Sequence, residues 1–257
     1  MDVLDALVEL AELSASQWGL LTTAQAAARG VSRVQLARLT DAGGLVRIVH
    51  GVYRDAGAPS DEFEELRAAW LSTEPSRLAE ERLGDRAAGV VVSGGSAAWL
   101  HRVGDLRADR HEFTVPVRRQ SQRLEIRYRQ RQLDDTDVTI VGGLPVTTLE
   151  RTVADLVEAR VDLSLVAGVL ADAVKVTRLD FERLHELLGP FAERRGFLVL
   201  PPGRAARTRA AAQYRCSGRR WLIPGWHAPG QPRSSAAAPP RAAAGRRRCA
   251  AATGFRP

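Results

Sequence analysis

The sequence of 257 residues contains little cysteine and no long apolar segment. Its two cysteines, Cys216 and Cys249, both lie near the C-terminus, which excludes a disulfide framework and a cysteine-based zinc site. No segment approaches the roughly 20 consecutive apolar residues that span a bilayer. The acidic start MDVLDALVELAEL also lacks the basic region of a signal peptide. These absences predict a cytoplasmic protein that does not associate with membranes.

Motifs that would mark a metal site or a catalytic centre are also missing. The five histidines are scattered, without the HxH or HExxH spacing of metal ligands. The sequence has no GxSxG nucleophile turn, no Walker phosphate loop and no GxGxxG at the start of a helix. We therefore expect a protein that is not an enzyme, with no catalytic residue, no bound metal and no cofactor.

Acidic residues are absent from the C-terminal part of the chain. Residues 201–257 carry twelve arginines and no aspartate or glutamate, whereas residues 1–200 have a net charge of −5. Apolar periodicity ends at Gly196, so we expect residues 197–257 to form a disordered tail rich in Arg, Ala and Pro. An out-of-frame translation of GC-rich coding sequence would have the same composition. Because these C-terminal arginines supply the excess positive charge, the net charge of +7 for the whole chain is weak evidence for DNA binding.

The N-terminal segment has the element order of a winged helix-turn-helix. Residues 2–13 have a helical apolar period, and an Ala-rich helix capped by Thr22 or Thr23 follows. After a glycine turn, Ser32 is placed to cap the helix RVQLARLTDAG. The segment LVRIVHGVYR then alternates as a short hairpin or wing. This order predicts a winged helix-turn-helix domain over residues 1–57.

Basic side chains are concentrated in this segment. Residues 20–54 contain five arginines and one acid, Asp41, a local net charge of +4. In a helix-turn-helix, the second helix enters the major groove and needs outward arginine or amide side chains that bind base edges. We expect that role for Arg33, Gln35 and Arg38. Four apolar residues of the same helix are expected to face the core: Val34, Leu36, Ala37 and Leu39.

Phosphate contacts are expected from the ends of these elements. Arg47 and Arg54 flank the wing, and Ser32 could offer its backbone N–H to a phosphate at the start of the helix. The alternative is that these arginines only solvate a small helical module that docks on another protein. A further alternative is that the arginine-rich tail is the part that binds nucleic acid or a membrane surface, since its twelve arginines would bind phosphate whatever the fold.

From residue 58 the pattern changes to a mixture of helices and strands. DEFEELRAAWL and SAAWLHRV favour helices, GVVVS favours a buried strand, and EFTVPV, LEIRYRQRQL and DVTIV favour further strands. In GLPVTTLERTVADLVEAR, Thr147 or Thr148 can cap a helix, and more helices follow. The sequence therefore predicts a mixed α/β domain over residues 58–196.

One segment of this domain has a superficial likeness to a nucleotidyltransferase. Such an enzyme needs two carboxylates at alternate positions of a strand, where they share a face and hold metal ions. The strand HEFTVPV offers only Glu112, with Thr114 at the alternate position. We therefore expect Glu112 to be a solvated strand residue and the pair Gly94-Gly95 to form a strand-to-helix turn.

Four strings in succession resemble one family. They are GLLTTAQAAARGVSRVQLARLTDAGGLVRIVHGVYR, VVSGGSAAWLHRVGDL, EFTVP and GLPVTTLERTVADL, and together they are similar to the AbiEi-type antitoxins of type IV toxin–antitoxin, or abortive infection, systems. The resemblance covers about residues 5–190. It implies a winged-helix domain that represses its own operon and a C-terminal domain that counteracts a nucleotidyltransferase toxin. It also implies Arg33, Gln35 and Arg38 on the recognition helix, and Arg47 and Arg54 on the wing.

The sequence thus predicts an α+β protein that binds double-stranded DNA at its own promoter. Its three parts are the winged helix-turn-helix, a mixed α/β antitoxin-type domain and the disordered tail. Expected partners are the DNA and a cognate nucleotidyltransferase toxin. The alternatives are a stand-alone DNA-binding regulator without a toxin, and a nucleotidyltransferase-like enzyme.

Overall fold

A computed structural model describes residues 3–106, 108–177 and 179–195 of the chain. The described residues all belong to one compact unit. The expected tail, residues 197–257, lies outside them. In the part of the chain that is described, no helix is long and apolar enough to cross a membrane.

The N-terminal module, residues 3–57, combines three helices with a small antiparallel sheet. The strands lie in the order β1-β3-β2. The elements are α1 (Val3–Ala15), β1 (Leu20–Thr22), α2 (Thr23–Ala28), α3 (Arg33–Asp41), β2 (Leu45–Val49) and β3 (Val52–Asp55). The helices and the hairpin confirm the predicted order. β1 was not predicted, because a strand of three residues whose last residue is also a helix cap is too short for a recognisable alternation.

The caps that begin α2 and α3 confirm the predicted helix starts. Thr22 Oγ1 accepts a hydrogen bond from Gln25 N (3.1 Å), and Gln25 Oε1 accepts from Thr22 N (2.9 Å). Ser32 and Gln35 form the same reciprocal arrangement at α3. Each pair satisfies two backbone N–H groups that have no partner inside the helix. The two short helices are therefore fixed at their N-terminal ends.

The second region, residues 58–195, contains a five-stranded sheet with helices around it. The sheet order is β6-β5-β4-β8-β7, with β4 parallel to β8 and β5 parallel to β6. Its strands are β4 (Val91–Val92), β5 (His111–Val115), β6 (Ile126–Gln130), β7 (Val138–Val141) and β8 (Leu144–Thr147). Its helices are α4 (Glu64–Thr73), α5 (Ala79–Leu83), α6 (Gly94–Leu100), α7 (Leu149–Glu158), α8 (Leu163–Val176) and α9 (Phe181–Arg195).

This mixed α+β architecture confirms the predicted fold class. The sequence did not predict β8 or α5. For the start of GLPVTTLERTVADLVEAR it predicted only a helix cap, at Thr147 or Thr148. Thr148 does cap α7, its Oγ1 accepting from Arg151 N. The four residues before it instead form a fully buried strand. Because β8 is short and contains Pro145, its sequence lacks the signal of a central strand.

One apolar cluster joins the N-terminal module to the second region. Leu20 of β1 and Val52 of β3 belong to the same buried cluster as Leu66 and Trp70 of α4. That cluster also covers one face of the five-stranded sheet through Phe113 of β5. A second buried cluster lies among α6, α7, α8 and α9. The N-terminal module and the second region therefore share part of one apolar core.

Two buried glutamines connect the helix-turn-helix to this core. The side-chain amides of Gln17 and Gln25 hydrogen-bond each other in both directions (3.0 and 3.1 Å). Gln25 Nε2 also donates to the carbonyl of Arg77 (2.8 Å), and Gln17 Oε1 accepts from Ala79 N at the start of α5 (2.9 Å). Both residues are nearly inaccessible to solvent. The pair thus ties α2 to the segment that precedes α5.

Several arginines are used to hold the fold together. Arg82 lies 3.5 Å from the Trp70 ring centre and donates to the Trp70 carbonyl (2.8 Å), and its burial lowers its pKa to about 10. Arg151 donates from Nε and Nη2 to Asp155 Oδ1 (3.0 and 2.7 Å). Burial raises the pKa of Asp155, and the nearby guanidinium of Arg151 opposes that shift. The guanidinium groups of Arg82 and Arg151 are thus buried and engaged inside the protein.

Gln25→Leu should destabilise the protein although it preserves side-chain size. The substitution leaves Thr22 N, the Arg77 carbonyl and the Gln17 amide short of partners, at a cost of about 1–3 kcal/mol for each buried orphaned group. Urea unfolding of the full chain measures the loss. The matched control is Gln122→Leu at an exposed glutamine, which should stay within about 0.5 kcal/mol of the parent. Equal stability of the two variants would contradict the role assigned to the glutamine pair.

Candidate nucleic-acid interface

Helix α3 has one buried side and one exposed side. Leu36 and Leu39 are almost fully buried and pack with α1 and the small sheet. The opposite side carries five exposed residues: Arg33, Val34, Ala37, Arg38 and Asp41. We call this set the α3 face. Two of the predicted DNA-contacting arginines, Arg33 and Arg38, therefore lie together on it.

The expectation that Val34 and Ala37 face the core is wrong. Both are exposed, and Val34 has 61% of its surface accessible. Each lies two residues before a buried leucine, and two residues along a helix correspond to a rotation of about 200°. Val34 and Ala37 consequently point away from the core, between the two arginines. The α3 face thus combines cationic side chains with small apolar ones.

Gln35 and Ser32 are engaged with each other at the start of α3. Gln35 is half-buried, and its Oε1 accepts from the backbone N of Ser32 (2.9 Å) and from Ser32 Oγ (2.8 Å). The Ser32 N–H that was expected to reach a phosphate is therefore already donated. In the structure, both residues orient the N-terminus of the helix, beside the α3 face.

The wing is the two-residue tip between β2 and β3. Gly51 adopts φ +76°, a left-handed conformation that favours glycine and closes the turn. The Gly51 carbonyl accepts from Thr23 N (2.9 Å), which holds the tip against the start of α2. Arg47 is exposed on β2, and its Nη2 lies 2.9 Å from His50 Nδ1. Arg47 is thus available at the wing, as expected.

Arg54 is placed differently from Arg47. Only 15% of its side chain is exposed, and its Nε lies 2.5 Å from Glu64 Oε1 on α4. Its Nη1 also donates to the carbonyl of Ala58. The charge of Arg54 is therefore neutralised inside the protein, where it joins β3 to the second region.

Glu112 is not the solvated strand residue that was expected. Its Oε2 accepts from Gly95 N (2.7 Å), and its Oε1 lies 3.2 Å from Arg127 Nη1. Gly94 has φ +58°, and a Cβ there would lie 2.1 Å from Glu112 Oε2, so the expected Gly94-Gly95 turn from strand to helix is confirmed. The carboxylate holds the start of α6. Among the described residues, no group of three or more His, Cys, Asp or Glu side chains could hold a metal ion.

The chain is similar to a solved structure and, in its N-terminal module, to a family model. A solved structure that matches is that of the RV2827C protein from Mycobacterium tuberculosis, with 19% sequence identity and a TM-score of 0.46 over 70% of this chain and 69% of that chain. No curated protein matches the sequence. Residues 8–54, which include the α3 face and the wing, match a family model described as "Transcriptional regulator, AbiEi antitoxin". Residues 8–54 of this chain are therefore similar to the AbiEi antitoxin family of transcriptional regulators.

Proposed function

We propose that this chain is a DNA-binding repressor that recognises its own promoter through the α3 face. The observation that carries the proposal is the exposure of Arg33 and Arg38 on one side of a capped helix within the segment that matches a regulator family. Neither arginine forms an ion pair with any described residue. Cationic side chains that have no internal partner are suited to guanine edges and phosphates.

Each residue of the interface has a proposed role. Arg33 and Arg38 bind base edges in the major groove, and Arg47 contacts the phosphate backbone from the wing. Val34 and Ala37 contact the C5-methyl groups of thymines, which are the apolar feature of the major groove. Ser32 and Gln35 position the helix through their reciprocal cap, and Arg54 fixes the wing to α4.

The antitoxin function is a second part of the proposal. It rests on the description of the matched family and on the resemblance of the later strings to AbiEi-type antitoxins of type IV systems. In this proposal the second region counteracts a nucleotidyltransferase toxin in the cytoplasm, without enzymatic activity or a cofactor of its own. The expected domain organisation is 1–57 for DNA binding, 58–196 for antitoxicity and 197–257 for the basic tail.

Substitution of Arg38 and Arg47 should separate sequence recognition from phosphate contact. Arg38→Ala should cost about 1–3 kcal/mol of binding free energy at the operator and relax specificity at one base pair. Arg47→Ala should weaken binding to all sequences equally and reduce the slope of log K against log salt by about 1. Gel shifts with the upstream DNA, a scrambled competitor and a salt series measure both effects.

The matched control for these variants is Arg102→Ala. Arg102 is exposed and paired with Glu62, which precedes α4, and both residues lie outside the N-terminal module. It should leave affinity and salt slope unchanged. If the parent protein shows no competitor-resistant shift, the repressor proposal is wrong and the module docks on another protein instead.

Replacing one thymine of the operator by uracil should reveal the contact with Val34. Uracil lacks only the C5-methyl group, so the parent should lose about 0.8 kcal/mol, the value of one buried methyl-sized group, at one position. Val34→Ala should bind the thymine and uracil duplexes equally at that position. Val8→Ala, at an exposed valine of α1, is the control and should keep the discrimination. Identical thymine preference in all three proteins would exclude Val34 as a base contact.

Co-expression tests the antitoxin part. A nucleotidyltransferase encoded beside this gene should arrest growth when expressed alone, and the full chain should restore growth. The variant Arg33→Ala/Arg38→Ala should restore growth equally well, because neutralisation is assigned to the second region. Failure of the parent chain to restore growth would contradict the antitoxin proposal and favour a stand-alone DNA-binding regulator.

A further inference from the structure

The two edge strands of the five-stranded sheet differ in character. The sheet order places β6 at one edge and β7 at the other. β6 carries Arg127 and Arg129, and charged side chains on an edge strand oppose pairing with another chain. β7 has the sequence VTIV, which contains no charged residue, no proline and no glycine. The edge of β7 is therefore unprotected against pairing with a further strand.

The pairing of β7 with β8 determines which backbone groups of β7 point outward. Ile140 lies opposite Pro145, which has no N–H, so these two residues cannot form a hydrogen-bonded pair. Hydrogen-bonded and non-hydrogen-bonded pairs alternate along antiparallel strands. Thr139 and Val141 therefore bond to β8, whereas the N–H and C=O groups of Val138 and Ile140 point away from it. Among the described residues, no strand lies along that outer side.

Apolar side chains lie next to these outward backbone groups. Val138 and Ile140 share one face of the strand, and Ile140 has 54% of its surface accessible to solvent. A cavity of about 290 Å³ opens beside this edge, lined by Leu83, Arg86, Val138, Thr139, Ile140 and Pro145. An added strand would therefore find backbone partners and an apolar surface at the same place.

The outward groups of β7 are complementary to those of a second copy of the same strand. In an antiparallel pair centred on Thr139, Val138 of each copy lies opposite Ile140 of the other, and each such pair exchanges two backbone hydrogen bonds. A pair centred on Ile140 would instead require Gly142 opposite Val138, but the φ of Gly142 is +58°, outside extended backbone. In the first arrangement Thr139 lies opposite itself on the twofold axis, and cross-strand threonine pairs are favourable.

We propose that β7 is a dimer interface, in which the β7 strands of two copies of this chain pair antiparallel about Thr139. The pairing joins the two five-stranded sheets edge to edge and buries the exposed Ile140 of each copy beside Val138 of the other. Because both copies use the same strand, the interface closes after two chains. This role accounts for the lack of charge on β7, in contrast to β6 at the opposite edge. The inference does not depend on the proposed DNA binding.

Analytical ultracentrifugation of the full chain over a concentration series tests the interface. The parent should change from one chain to two as its concentration rises. Ile140→Lys should remain a single chain, because a lysine on an edge strand opposes pairing. The matched control Val174→Lys places the same charge at an exposed valine of α8 and should dimerise like the parent. A parent that stays a single chain at every concentration, or a dimer that Val174→Lys abolishes and Ile140→Lys preserves, would overturn the proposal.

Disulfide cross-linking tests the register of the two strands. The background is the full chain with Cys216→Ser and Cys249→Ser, which removes both native cysteines. Thr139→Cys should form a linked dimer on mild oxidation, because Cα atoms of a non-hydrogen-bonded pair lie about 4.5 Å apart, within disulfide range. Ile140→Cys should not, because its two copies are diagonal neighbours about 7–8 Å apart. Equal cross-linking at both positions, or at residue 140 alone, would contradict pairing about Thr139.

Discussion

The amide pair of Gln17 and Gln25 is the interaction on which the placement of the N-terminal module depends. Every strong donor and acceptor of the two side chains is used, either in the pair itself or on backbone groups of residues 20, 22, 77 and 79. A buried polar network that is fully satisfied fixes one arrangement, because any displacement leaves several groups unpaired. The helix-turn-helix is therefore held rigidly against α5, and α3 projects from a single body.

The arginines of this chain have two distinct roles in the folded protein. Arg54 and Arg82 bind a carboxylate, carbonyls or an aromatic ring, and each joins two elements of the fold. Arg151 pairs with Asp155 within α7. Arg33 and Arg38, by contrast, are exposed on one face and unpaired among the described residues. The distinction does not follow from counting charge, since residues 1–200 are acidic overall. It follows from which arginines face a carboxylate once the chain is folded.

Local sequence patterns were sufficient for the elements of the N-terminal module. The Thr22 and Ser32 caps, the apolar period of α1 and the glycine at the wing tip are each short-range signals, and each occurs where it was expected. The assignment of Val34 to the core failed because an exposed valine between arginines looks the same in sequence as a buried one. Arg54 and Glu64 become partners only when β3 packs on α4, which no local pattern encodes. β8 was missed for a similar reason, as its strand character comes from its central position in the sheet.

Selection from a pool of random duplexes tests the central claim that the α3 face recognises a DNA sequence. The full chain is bound to the pool, bound molecules are amplified, and the recovered sequences are compared with those recovered by Arg33→Ala/Arg38→Ala. The account predicts that the parent enriches one short motif and that the double variant enriches none. Recovery of random sequence by the parent, or of the same motif by both proteins, would contradict it.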